Sequence, residues 1–181
     1  AARVAWRLGD QAVATADAYK YLGLDFDSAS RGMAGKWNSH LRRMLDKARK
    51  GMHLVLFQGG GPDGVCPRTM AHQWCMIGRP LLEYGCELWH GEISVRWRKR
   101  LESLQDAFCR ASLGLKSTPA ASALRADMGV SSLHARRLLL KTLYWKKLCD
   151  MSSDRLASLL LRRRHAEVIS GHAALSCLHS F

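Results

Sequence analysis

The sequence predicts a mainly α-helical fold: a bundle of five or six helices preceded by a small antiparallel β unit, α+β only at its N-terminus. Three observations carry this. Beyond Lys36, apolar residues recur at three- and four-residue intervals through most of the chain. Before residue 28, strand-forming tyrosine, leucine and phenylalanine alternate with turn-forming glycine and aspartate. Finally, 181 residues that are 48% hydrophobic can bury a real core, and four prolines leave room for long helices.

Strands are expected near 3–8, 11–15 and 19–26, with Gly9 and Asp10 as a turn between the first two. The first helix should carry Trp37, Leu41, Met44, Ala48, Met52 and Val55 on one face, flanked by Arg42, Arg43, Lys47, Arg49 and Lys50. A flexible connector follows over 57–67, where Gly59, Gly60, Gly61, Pro62 and Gly64 concentrate. Helical spacing resumes from Thr69 with Met70, Trp74, Ile77, Leu81, Tyr84 and Leu88. Pro80 removes an amide donor within it, so a kink or break near Arg79 is expected.

A further helix over about 94–113 places Val95, Leu101, Leu104, Phe108 and Ala111 together and should stop near Gly114. Thr118-Pro119 has the form of an N-cap with proline at the first helical position, opening a short helix that runs to Met128. Ser131 or Ser132 then caps a helix reaching Cys149, with Leu133, Arg137, Leu140, Tyr144 and Leu148 at helical spacing. Arg155–Val168 forms a last basic helix, and the tail from residue 171 is weakly patterned.

The charge is the strongest functional signal. Lys and Arg number 28 against 15 Asp and Glu, and the formal net charge is +13. Residues 1–90 hold 12 basic and 8 acidic side chains, residues 91–181 hold 16 and 7. A field of that sign attracts polyanions, nucleic acid foremost, and is screened by salt. Basic runs fall on three helices: Arg42, Arg43, Lys47 and Lys50; Arg96, Arg98, Lys99 and Arg100; and Arg162, Arg163 and Arg164. Such side chains hold a phosphate backbone without reading bases. Trp97, inside the second run, either stacks on a base or packs between helices.

Other chemistry is poorly represented. Asp25 and Asp27 would share one face of a strand, as a two-carboxylate Mg2+ site requires, but no third carboxylate stands at a telling distance. Cys66, His72 and Cys75 lack a fourth ligand for zinc. The GGGPDG run lacks the Lys-Ser/Thr of a phosphate-binding loop and the order of a dinucleotide fingerprint. His90 and His134 have no evident acidic or nucleophilic partner. No segment approaches the roughly 20 apolar residues that span a bilayer, so no membrane partner is expected. Six dispersed cysteines and the lack of a signal peptide favour a reducing, intracellular setting, nuclear or cytoplasmic. The chain opens without methionine and in mid-pattern, as the interior of a longer protein would.

Four segments carry a family resemblance. Ala18-Tyr-Lys-Tyr-Leu-Gly-Leu24 resembles the segment that follows the catalytic palm in reverse transcriptases of non-LTR (LINE-type) retrotransposons. Arg79-Pro-Leu-Leu-Glu-Tyr-Gly-Cys-Glu-Leu-Trp89 resembles their P-x-L-x-Y-G-x-x-x-W segment. Leu101–Arg110 resembles the helix L-x-x-x-Q-x-x-x-x-R that comes next, and Thr118-Pro-Ala with Leu124 and Met128-Gly129 resembles the region after it. Their order and spacing over about 18–140 match the family's.

The resemblance implies that residues 1–27 are the end of the palm and its primer-grip hairpin, with Tyr19, Lys20, Tyr21, Leu22 and Gly23 at the primer terminus. It implies a thumb-like bundle over 36–113, a downstream basic extension over 114–170 and a tail over 171–181. The expected partners are an RNA–DNA or RNA template–primer and the upstream palm and fingers of the same polyprotein. The family's catalytic aspartates lie upstream of the matched region, so the Mg2+ of the full polymerase has no ligands here, and this chain alone should not polymerise. No cofactor is expected in the segment. The competing expectation is a helical protein-interaction or scaffolding module whose charge only solubilises it.

Overall fold

A computed structural model describes residues 7–12, 16, 18–27, 35–59 and 64–169. Among them, short antiparallel strand pairs precede seven helices, a mainly α architecture. β1 (Arg7–Leu8) pairs with β2 (Gln11–Ala12) across Gly9, whose φ of +61° suits a tight turn. The remainder of the expected 3–8 and 11–15 strands lies outside the described residues.

The segment expected as one strand over 19–26 is a hairpin. β3 (Ala18–Tyr21) pairs with β4 (Leu24–Asp27), Tyr21 opposite Leu24, around a two-residue turn at Leu22-Gly23. Both turn residues have positive φ, +47° and +81°, the type I′ geometry whose twist matches that of paired strands. Glycine adopts this freely; leucine does so at a cost.

α1 (Asn38–Gly59) follows, with Trp37, Leu41, Met44, Leu45, Ala48 and Val55 buried along one stripe. Its first turn receives the Asp27 carboxylate, which accepts the Ser39 amide at 3.2 Å. Residues 60–63 of the glycine-rich connector lie outside the described residues, while Gly59 still belongs to α1.

α2 (Pro67–Glu83) has proline in its first turn and runs through Pro80 without the expected break near Arg79. Pro80 withholds an amide from the Met76 carbonyl, but Met76 lies on the exposed flank where water can replace it. Packing supplies the rest: Trp74 folds over Gly78 so closely that a Cβ there would lie 2.1 Å from the indole. The helix ends instead at Tyr84 and left-handed Gly85, and α3 (Cys86–Trp89) begins. The phase of α2 also differs from expectation. Met70, Ala71, Trp74, Gly78 and Leu82 face inward, while Ile77 and Tyr84 emerge.

α4 (Val95–Ser112) is capped by the Ser94 hydroxyl and buries Trp97, Leu101, Leu104 and Phe108, leaving Val95 and Ala111 outside. Phe108 stacks on Trp74, centroids 4.6 Å apart and planes 14° apart. α5 (Ala121–Asp127) starts after Ala120, so Thr118 is not its cap; Ala120 offers no side-chain acceptor. α6 (Leu133–Cys149) is capped by Ser132, and Glu102 of α4 accepts the Leu133 and His134 amides at 3.3 and 2.6 Å. α7 (Leu156–Ile169) packs on α6. One core joins β4, α1, α2, α3, α4 and α5 with the start of α6.

Candidate nucleic-acid interface

The β3–β4 hairpin presents its tip outward. Tyr19, Lys20, Tyr21 and Leu22 are exposed, Gly23 is half-buried, and the two tyrosine rings lie nearly parallel with centroids 6.4 Å apart. From below, side chains of two helices hold the turn. Tyr84 donates its hydroxyl proton to the Leu22 carbonyl, and the Arg43 guanidinium donates to the Gly23 carbonyl. Arg43 Nε also pairs with the Asp25 carboxylate at 2.6 Å. Leu24 is buried against Gly85, where a Cβ would approach Leu24 Cδ2 to 2.7 Å. Gly23 meets Tyr84 in the same way, a Cβ there falling 3.2 Å from the phenolic oxygen.

These contacts correct one expectation and bear on a second pair of residues. Arg43 is a hairpin tether, its donors committed to Gly23 and Asp25, and is not poised for a phosphate. Asp25 and Asp27 do not fit a Mg2+ site: one is neutralised by Arg43 and the other caps α1. Beneath them, burial and then the neighbouring Arg43 charge lower the His40 pKa. Its neutral ring lies 3.5 Å from the Asp25 amide.

The basic side chains of α1 divide by helical phase. Arg42 and Arg49, seven residues apart, share one exposed face with His53; Lys47 and Lys50 lie toward the other flank. On α4, Arg96, Lys99 and Arg100 share a face, while Arg98 points roughly opposite and is half-buried. The consequence is a groove between α1 and α4 with a volume of about 490 Å3. Arg49, His53, Arg96, Lys99 and Arg100 converge there over Met52, Ser103, Leu104 and Ala107, with no carboxylate in the lining.

Arg98 therefore leaves the expected set; its charge lies near His90 and Arg137. Of the two readings open for Trp97, packing between helices is the one observed. It is buried between helices and donates its indole N–H to Asn38 Oδ1 at 2.7 Å, with the Arg100 guanidinium 5.2 Å from its ring centroid. It cannot stack on a base without leaving the core. Arg162, Arg163 and Arg164 are exposed on α7.

Sequence reasoning missed Arg49 and His53 as groove residues and Tyr84 as a tether. The first two were within reach, since Arg42, Arg49 and His53 repeat at intervals of seven and four. Tyr84 stands at one more position of an apolar stripe, and only its hydroxyl sets it apart. Among the described residues no group of three or more His, Cys, Asp or Glu side chains could hold a metal, and the cysteines are free thiols. Burial pushes the Cys86 and Cys109 thiols up to about 12, so neither is a nucleophile near neutral pH. No described helix is long and apolar enough to cross a membrane. No family model, curated protein or solved structure matches the chain.

Proposed function

We propose that this chain is the template–primer-binding segment that follows the palm of a non-LTR retrotransposon reverse transcriptase. The observation that carries the reading is the α1–α4 groove, which no carboxylate lines and where Arg96, Lys99 and Arg100 face one space with Arg49, itself paired with Asp46 at 3.5 Å. A polyphosphate backbone is the ligand that such a surface suits, because each neutralised phosphate releases condensed counterions. The exposed aromatic turn at Tyr19, Lys20, Tyr21, Leu22 and Gly23 supports the second half of the reading, a grip on the primer terminus. Its tyrosine faces offer stacking that tolerates any base, and Lys20 reaches toward phosphate. The nucleotidyl-transfer carboxylates belong, on this reading, to an upstream palm. This segment positions the duplex and does no bond-making itself.

The test is a titration of a fluorescein-labelled RNA–DNA heteroduplex by anisotropy at two salt concentrations. Affinity should fall steeply with salt and depend little on sequence, with each phosphate contact contributing a slope of roughly 0.7–0.9 in log–log form. The triple variant Arg96→Glu/Lys99→Glu/Arg100→Glu should lose at least about tenfold in affinity and flatten the slope. Lys146→Glu/Lys147→Glu, on α6 away from the groove, should lose much less. Salt-insensitive binding, or equal losses in the two variants, would sink the proposal.

A further inference from the structure

The α1–α4 groove changes character along its length. On α4 its lining residues fall at 96, 99, 100, 103, 104 and 107, a three- and four-residue spacing that keeps them on one helix face. Arg96, Lys99 and Arg100 fill the N-terminal half of that face, whereas Ser103, Leu104 and Ala107 fill the other. The three cations are exposed, and the Arg100 guanidinium is held 5.2 Å from the Trp97 ring centroid. The α4 N-terminus, with no acidic residue in its first turn, adds partial positive charge at the same end. From α1 come Arg49, His53 and the half-buried Met52. Arg49 contributes less to the field, since it pairs with Asp46 at 3.5 Å.

A ligand that satisfies both halves carries more than one anionic group beside a flat apolar surface. Arg96 and Arg100 stand about one helical turn apart, roughly 6 Å along the axis, so with Lys99 they suit successive phosphates. The other half is small and apolar. Ser103 and Ala107 leave room for a planar group, and the Met52 thioether makes favourable contacts with π faces. A duplex cannot use that half, because its bases are stacked on one another and it turns sugar and phosphate outward. A single strand can, since its bases splay and seat their faces on a protein surface.

We propose that the α1–α4 groove seats one unpaired nucleic-acid strand, its phosphates on Arg96, Lys99 and Arg100 and one base face on the floor of Met52, Leu104 and Ala107. The inference rests on the template–primer reading and narrows it. The groove holds strand that has left the duplex, and paired segments meet only its cationic half. An anionic phospholipid shares the division into charge and apolar surface, but one headgroup brings a single net charge to three cations.

Anisotropy titrations of the whole chain compare a blunt RNA–DNA heteroduplex with the same duplex carrying a single-stranded RNA extension of about five nucleotides. The extended duplex should bind about tenfold more tightly at the same salt concentration. Met52→Gln and Ala107→Gln change the floor and no charge. Each should cut that preference to about twofold or less, while blunt-duplex affinity and its salt slope stay as in the parent chain. Val95→Gln, exposed on α4 outside the groove, should change neither. Unchanged far-UV melting checks that the fold of each variant is intact. A preference below about twofold in the parent chain, or one that both floor variants keep, would overturn the proposal and leave the phosphate contacts standing. Binding to phosphatidylserine vesicles that both floor variants lose would also overturn it, assigning the groove to lipid. Blunt-duplex binding that ignores salt would instead remove the template–primer reading, and this proposal with it.

Discussion

The α1–α2–α4 bundle and the α6–α7 arm are built from similarly helix-favouring residues, yet they bury very different amounts. In the bundle each helix turns one phased stripe inward, and Trp37, Trp74 and Phe108 are almost wholly enclosed. In the arm, Leu133 and Arg137 enter the core, but from Lys141 onward no residue of α6 is buried, and Ser158 alone is buried among the described residues of α7. Helix formation and helix packing are separate requirements. Leucine, arginine and lysine satisfy the first wherever they stand; the second needs apolar residues in phase.

Truncation at equivalent depth of chemistry should break the two regions apart most clearly. Trp74→Ala empties the space against Phe108 and over Gly78, and should cost about 3–5 kcal/mol in urea unfolding. Leu143→Ala, on the exposed arm, should stay within about 0.5 kcal/mol. Comparable losses would mean that the arm is covered in solution and that the contrast is false.

The boundary between the regions should respond to acid. His90 sits between α3 and α6, 5.0 Å from the His134 ring, with its pKa lowered from 6.5 to about 4, first by burial and then by Arg137. The unfolded chain therefore takes up this proton before the folded one does. The stabilisation is fully present above pH 6.5 and is lost as pH falls from 6.5 through 4, amounting to on the order of 3 kcal/mol. The lowered pKa of His40 adds in the same direction. Urea midpoints from pH 7 to 4 should fall in the parent chain and fall less in His90→Phe. An unchanged pH profile in that variant would remove His90 as the cause.

Much of this was legible in the sequence, and what was not has physical causes. The α1 stripe from Trp37 to Val55 was readable because spacing sets it, and a serine cap on α6 because it is a single local hydrogen bond, with the choice between Ser131 and Ser132 left to the structure. The persistence of α2 through Pro80 was not, because it depends on Trp74 lying over Gly78, a contact with no signature beyond a four-residue interval. In α6, Arg137 stands in the apolar register between Leu133 and Leu140, so periodicity marked it inward without revealing that a charge would be buried. The candidate interface was half readable. Charge runs pointed to α1 and α4, but only the packing of those helices separates Arg49, Arg96, Lys99 and Arg100, which meet, from Arg43 and Arg98, which turn elsewhere.

The hairpin is a third case, neither buried like the bundle nor bare like the arm, and the smallest predicted effect concerns it. Its tip is held by polar contacts to carbonyls: Tyr84 to Leu22 and Arg43 to Gly23. Both act on the two residues with positive φ, where leucine is disfavoured and the turn needs outside support. Tyr84→Phe removes one donor and no packing, so it should cost about 0.5–1.5 kcal/mol. The loss should be local. Amide exchange at Gly23 and Leu24 should quicken while the amides of α1 hold, because Leu24 remains wedged at Gly85 and Arg43 remains paired with Asp25. If α1 and the hairpin instead quicken together, the turn is part of the bundle's cooperative unit. It could not then adjust to a bound strand end without loosening the core beneath it.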